Sequence, residues 1–246
     1  MNIEMLTAKI AFGSVQLRNY SDWAESLLDQ GNESENIMIL ASFGLDKNID
    51  KYEIETYFEK CLSELKLKLP TREKALKIYA KQLCIELLQE NILVKKAIDD
   101  LSRLWSLTDY EEPLFRIWDE LSEDIYFIEN EEHGAFWNSG LTKENQSTYI
   151  KEFAEQFLQL LELKLPENFW QLSYCESCKY IGKLTIETKI EWLPVTKFKF
   201  FKFSTEHLVN YAACAKCLTP YPLTMTDFTG RKKYLKMAKI LTNNPL

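Results

Sequence analysis

Glycine and proline are scarce in this 246-residue chain, at seven each. That scarcity excludes collagen-like, low-complexity and disordered classes, which need such residues in bulk. Histidine is rarer still, with two, leaving little for general acid–base chemistry. The chain also lacks a Gly-rich phosphate loop, a Gly-x-Ser-x-Gly elbow and a His-Glu-x-x-His pair, so the common signatures of nucleotide binding, ester hydrolysis and metalloproteolysis are absent. Paired Asp and Glu remain open as catalytic groups. No run approaches the roughly 20 apolar residues that a bilayer span requires, and the opening MNIEMLTAKIAF has neither a basic leader nor a cleavable apolar core. The expectation is a cytoplasmic protein without a membrane partner. Thiols stay reduced in that compartment, so paired cysteines read as metal ligands or redox groups before they read as disulfides. What the chain does have is 46% hydrophobic and 13% aromatic residues, enough to build a core without covalent staples.

The net charge of −7 conceals a division. Residues 1–169 carry 18 Lys and Arg against 32 Asp and Glu, whereas residues 170–246 carry 12 against 5. Such asymmetry marks two modules that face different partners or each other. The expected organisation is an acidic α-helical domain over 1–169 and a basic module over 170–246.

Apolar residues recur three and four apart at Tyr57, Phe58, Cys61, Leu62 and Leu65, and again at Leu76, Tyr79, Ala80, Leu83, Cys84 and Leu87, the stripe of an amphipathic helix. Asp50 followed by Glu53 is a capping-box start, Thr71 opens the next helix, and Thr142 is read as opening the helix of Ile150, Phe153, Phe157 and Leu161. Six to eight helices fit this part, as a bundle or short array. Past residue 170 the period changes. Leu184, Ile186, Thr188, Ile190 and Trp192 alternate with polar neighbours as in a half-buried strand. Pro194 is read as its end, and TKFKFFKF as a second strand with a bulge at Phe201. The segment GRKKYLKMAKIL returns to helical spacing. The fold class is mainly α, with a small β module and a C-terminal helix.

Four of the six cysteines form two Cys-x-x-Cys pairs, Cys175 with Cys178 and Cys214 with Cys217. Each tight turn directs two sulfurs to one point, and two turns together give the four-sulfur cage that Zn2+ prefers. Residues 170 to 222 resemble a zinc ribbon, with a longer insertion spent on the hairpin. A redox pair would sit in a βαβ setting that this region lacks. Four thiolates fill the coordination sphere, so the reading is a structural Zn2+ and not a catalytic one. His207 lies nearby, but four cysteines leave it no vacant position. Cys61 and Cys84 read as core residues.

Residues 109 to 132 hold ten carboxylates against the single base Arg116. A solvated face is the plain reading of such a run. The alternative is a surface awaiting a basic partner, built from Asp119, Glu120, Glu123, Asp124, Glu129 and Glu131. At the other end Arg231, Lys232, Lys233, Lys236 and Lys239 share one helix. They suggest nucleic-acid contact, although docking of the basic module on its own acidic neighbour is favoured in an acidic protein. Glu131, Glu132 and His133 lack a second histidine at ligand spacing and are not read as a metal site.

The segments YSDWAESLLDQGNESENIMILASFG and ELKLKLPTREKALKIYAKQL give the first 160 or so residues a pattern that resembles small bacterial helical proteins, among them immunity proteins of toxin–immunity systems. The resemblance rests on no catalytic motif, and no functional residue is carried over. It implies a non-enzymatic protein that neutralises a basic toxin by covering its active site. The competing expectation is a nucleic-acid-binding adaptor acting through the C-terminal module.

Overall fold

The computed structural model describes residues 1–130, 134–198 and 201–243, with the side chains of 192–198, 201–207 and 239–243 excepted. Nine α-helices and an antiparallel sheet of four strands make up its regular structure among the described residues. By compactness the chain divides into Met1–Asp119 and Glu120–Leu246. The division therefore lies at 119/120, whereas the change of charge and period lies at 169/170.

In the first unit, α1 (Ile3–Phe12) is opened by Asn2, whose side chain accepts from Met5 N at 2.8 Å, and closed by Gly13 at φ +82°. Helices α2 (Arg18–Leu28), α3 (Glu35–Ser42), α4 (Lys51–Glu64), α5 (Arg72–Leu88) and α6 (Val94–Leu107) follow. The expected caps are present: Asp50 accepts from Glu53 N at 2.9 Å and Thr71 from Lys74 N at 3.3 Å. Trp23, Ile37, Leu40, Ile54 and Cys61 meet in one buried cluster. Phe12 of α1 stacks on Tyr79 of α5 with centroids 4.2 Å apart. Cys61 and Cys84 are fully buried, as their helical positions imply.

Helix α7 (Pro113–Asn130) runs into the second unit, which continues with α8 (Gln146–Glu162). Thr142 does not start α8. Its N–H donates to Asn145 in a turn, and the helix opens three residues later than the capping rule suggests, with Asn145 at the N-cap position. Strands β1 (Leu172–Tyr174), β2 (Ile181–Phe198), β3 (Phe201–Cys214) and β4 (Leu223–Thr224) stand in the order β3-β2-β1-β4, and α9 (Phe228–Asn243) closes the chain. Pro194 does not end β2. The strand continues to Phe198, and the irregularity falls between Pro194 and Thr196 rather than at Phe201. Counting along the alternation from the β1 contacts puts the missing N–H of Pro194 on the edge away from β3, where no ladder bond is lost.

The core of this unit is aromatic. Phe153 of α8 stacks on Phe228 of α9, and Tyr149 lies 4.3 Å from the same ring, centroid to centroid. Helix α9 approaches β4 so closely at Gly230 that a β-carbon would run into the Thr224 carbonyl oxygen. Asp227 caps α9 by accepting from Thr229 N at 2.7 Å, and it also accepts from the Ser139 hydroxyl.

Candidate metal centre and charged surfaces

The two Cys-x-x-Cys turns have the same backbone. Cys175 N–H donates to Tyr180 O and Lys179 N–H returns to Cys175 O; Cys214 N–H donates to Thr219 O and Leu218 N–H returns to Cys214 O. These four bonds measure 2.8 to 2.9 Å. The fifth residue of each turn, Lys179 or Leu218, is left-handed, at φ 60° and 58°. This conformation favours glycine, yet neither turn has one. The first turn follows β1 and leads into β2, and the second ends β3. Pairing of β1 with β2 and of β2 with β3 carries the two turns to one end of the sheet. Gly182, in the first residues of β2, admits the Tyr180 ring where a β-carbon would collide.

The four sulfurs converge. Cys175 Sγ lies 3.6 Å from Cys217 Sγ, Cys178 Sγ lies 3.7 Å from Cys214 Sγ, and all four fall within 4.8 Å of one another. A tetrahedron with metal–sulfur bonds of about 2.3 Å has edges of about 3.8 Å, so the spacing fits a metal ion at the centre. Cys175 and Cys214 are buried, Cys178 is half-buried and Cys217 is exposed. The Thr219 hydroxyl, 3.1 Å from Cys217 Sγ, and the Thr219 backbone push that thiol down to about 6. A backbone bond from Cys178 also lowers Cys175, whereas burial pushes Cys178 up to about 12. Lys216 N–H points at Cys214 Sγ at 3.4 Å. Four sulfurs this close could hold a cation, since a central positive charge would favour the thiolate form of every one. Thr219 was missed by spacing alone; its signal is a hydroxyl two residues past the second cysteine, where the chain folds back.

The acidic face expected on α7 is not assembled. Asp124 has no exposed surface. It accepts from the backbone N–H of Phe136 at 2.6 Å, Trp137 at 3.1 Å and Asn138 at 2.8 Å, and from the Asn138 side chain at 2.9 Å. Glu120 is buried, and Asp119 is half-buried, its carboxyl raised above the usual range by desolvation. Glu123 and Glu129 stay exposed, Glu129 accepting from Gln146 at 2.9 Å. Glu131, Glu132 and His133 lie outside the described residues, as does the side chain of His207. Helical spacing explains the failure: Ile117, Leu121 and Asp124 share one stripe, so Asp124 turns inward with the apolar residues.

The basic helix is changed in the same way. Arg231 is fully buried on the stripe of Phe228 and Leu235. Its Nε donates to Gln156 at 2.7 Å, its Nη1 donates to the carbonyl of Thr226 at 2.6 Å, and its guanidinium lies over the Phe153 ring at 5.1 Å. Burial lowers its pKa to about 10. Among the described residues Nη2 has no hydrogen-bond partner. Lys232 pairs with Glu152 at 2.6 Å and Lys233 with Glu176 at 3.1 Å. Lys236 is exposed, and the Lys239 side chain lies outside the described ones. Arg231 is thus a clamp between α8 and α9 and no phosphate ligand. Two of the helix's lysines thus pair with acids of their own unit, one of them, Glu152, in the acidic 1–169 stretch and the other, Glu176, in the basic segment itself.

Counted by unit, Met1–Asp119 holds 15 Lys and Arg against 21 Asp and Glu, and Glu120–Leu246 holds 15 against 16. The acid excess therefore belongs to the first unit. There Glu73, Asp109, Glu111 and Glu112 line an open groove of about 330 Å3 with Arg72, Leu76, Leu107 and Thr108. Lys77 bonds Glu73 and Glu112 at 2.7 Å each, which raises its pKa and leaves Asp109 and Glu111 exposed to solvent. Asp109 and Tyr110 are successive left-handed residues, at φ 52° and 64°, a strained turn at the rim.

Among the described residues no helix is long and apolar enough to cross a membrane. Compared with known proteins, the chain matches no family model, no curated protein and no solved structure.

Proposed function

We propose that the protein acts by binding a basic protein, as an immunity protein binds its toxin, and that Cys175, Cys178, Cys214 and Cys217 hold a structural zinc ion in a zinc-ribbon-like module. The observation that carries the binding reading is the concentration of acid in Met1–Asp119, with Asp109 and Glu111 exposed at the rim of one groove. A cationic side chain of the partner enters there, and the acid excess speeds its approach. The contact surface is this groove, in place of Asp119, Glu120 and Asp124. Zinc is the metal that four thiolates at tetrahedral spacing favour. With all four positions held by sulfur, it braces the sheet and leaves no place for an activated water.

The test immobilises the protein in a lysate of its own host across a salt series. One basic protein is retained, and its association slows with ionic strength and with the double substitution Asp109→Lys, Glu111→Lys. Retention of nucleic acid, or of a partner indifferent to both salt and charge reversal, contradicts the reading.

A further inference from the structure

Strand β2 is much longer than its neighbour on one side. Strand β1 covers only Ile181, Gly182 and Lys183, and past Lys183 no strand among the described residues pairs with that edge. From there β2 and β3 form a two-stranded ribbon, an arrangement that is marginal in water by itself. One of its faces is apolar and open: Ile186 is 66% exposed, Ile190 54% and Leu208 75%, with Ile190 directly opposite Leu208.

The outward backbone groups of this edge can be identified. Cys175 N–H donates to Tyr180 O, and the Ser173 hydroxyl donates to Gly182 O, so residues 180 and 182 face β1. On the other flank, Cys214 N–H and Ala212 O are turned away from β2, toward Thr219 and Tyr221, although they stand opposite Leu184 and Ile186. By alternation, Leu184, Ile186, Thr188 and Ile190 present N–H and C=O to the open edge.

An antiparallel partner strand must match outward residues with outward residues, and the charges then select among the allowed registers. Centring on Lys189 sets it against its own copy and sets Glu187 against Glu191. Centring on Glu187 opposes two carboxylates. Centring on Ile190 places Ile186 opposite Pro194, which has no N–H to give. Centring on Thr188 sets Glu187 against the partner subunit's Lys189, Lys189 against the partner subunit's Glu187, and Ile186 against the partner subunit's Ile190. Charges on an edge strand commonly deter pairing; here one register makes them self-complementary. Lys189 already bonds Glu191 of its own strand at 2.6 Å, and the pairing adds a second carboxylate to the same ammonium.

We propose that this protein forms a twofold dimer through the β2 edge, Thr188 opposite the partner subunit's Thr188, giving a continuous sheet β3-β2-β2-β3 over residues 184–192, beyond which each strand bends away, next to its irregularity between Pro194 and Thr196, to clear β1. The exposed isoleucines then become cross-strand neighbours, and the ribbon gains the additional strands that it needs in water.

Sedimentation equilibrium on the zinc-loaded full chain tests this. The wild type dimerises below about 100 µM. Glu187→Lys, at a half-buried ribbon position, and Lys189→Glu, at an exposed one, weaken the dimer roughly tenfold or more because each sets like charges opposite one another on both sides of the twofold axis. An equimolar mixture of the two variants restores association as a heterodimer, and the double variant in one chain restores the homodimer. Circular dichroism matching the wild type establishes that each variant is folded. A monomer throughout that range, a dimer indifferent to both reversals, or natively folded variants that fail to rescue one another would overturn the proposal.

Discussion

Replacing Asp124 by asparagine exchanges one oxygen for an NH2 group and removes one charge, and the structure sets the size of the effect. The carboxylate is fully buried and accepts from three consecutive backbone N–H groups and one side-chain amide. Every group that bonds to it is a donor. An asparagine must aim its own NH2 at one of them. The least costly orientation gives up the Phe136 bond and leaves that N–H facing another donor. The remaining bonds become neutral ones, losing about 1 kcal/mol each. With three such bonds and the orphaned donor costing about 1–3 kcal/mol, the total comes to about 4–6 kcal/mol, at the upper end of single-substitution effects. Urea unfolding followed by tryptophan fluorescence reads this, and the shift falls on the transition of Glu120–Leu246. Glu123→Gln, at an exposed position of the same helix, changes stability by less than about 0.5 kcal/mol. A loss under about 1 kcal/mol for Asp124→Asn would refute the argument that this carboxylate organises residues 134–140.

Three further outcomes are expected. Lys179→Gly and Leu218→Gly relieve the left-handed strain of the two turns, each raising the stability of the metal-loaded protein by up to about 1 kcal/mol in thermal unfolding; a loss in both would contradict the turn geometry. Gly230→Ala lowers stability by more than about 2 kcal/mol, since the added carbon meets the rigid Thr224 carbonyl, and an unchanged transition would show that α9 does not sit so close to β4. Metal affinity, measured by chelator competition, rises with pH through neutrality because Cys178, held up to about 12, must release its proton, and it falls more steeply below about pH 6, where Cys217 protonates as well. A flat profile would deny thiolate ligation.

The cysteine cage was legible in the sequence because a Cys-x-x-Cys turn fixes where two sulfurs point whatever surrounds it. The starts at Asp50 and Thr71 were legible for the same local reason. The charged residues were not, because a count along the chain treats each acid or base as solvated. Asp124 sits seven residues after Ile117 and three after Leu121, and Arg231 sits three after Phe228 and four before Leu235, so helical periodicity already places both on buried stripes. What the sequence could not provide was the partner of each: an N–H cluster 12 to 14 residues away for Asp124, and Gln156, 75 residues away, for Arg231. Pro194 misled for a different reason, since its effect on a strand depends on which edge its missing N–H faces. The division of the chain followed neither charge nor period, because α8 and α9 share an aromatic core across residue 170.

The most direct test of the account is X-ray absorption at the zinc edge on protein purified without added metal. About one zinc per chain, surrounded by four sulfurs at about 2.3 Å and no nitrogen or oxygen, is the predicted spectrum. A shell with fewer than four sulfurs, an oxygen ligand, or a chain that folds fully with no metal bound would contradict a closed, structural centre made of four cysteine thiolates.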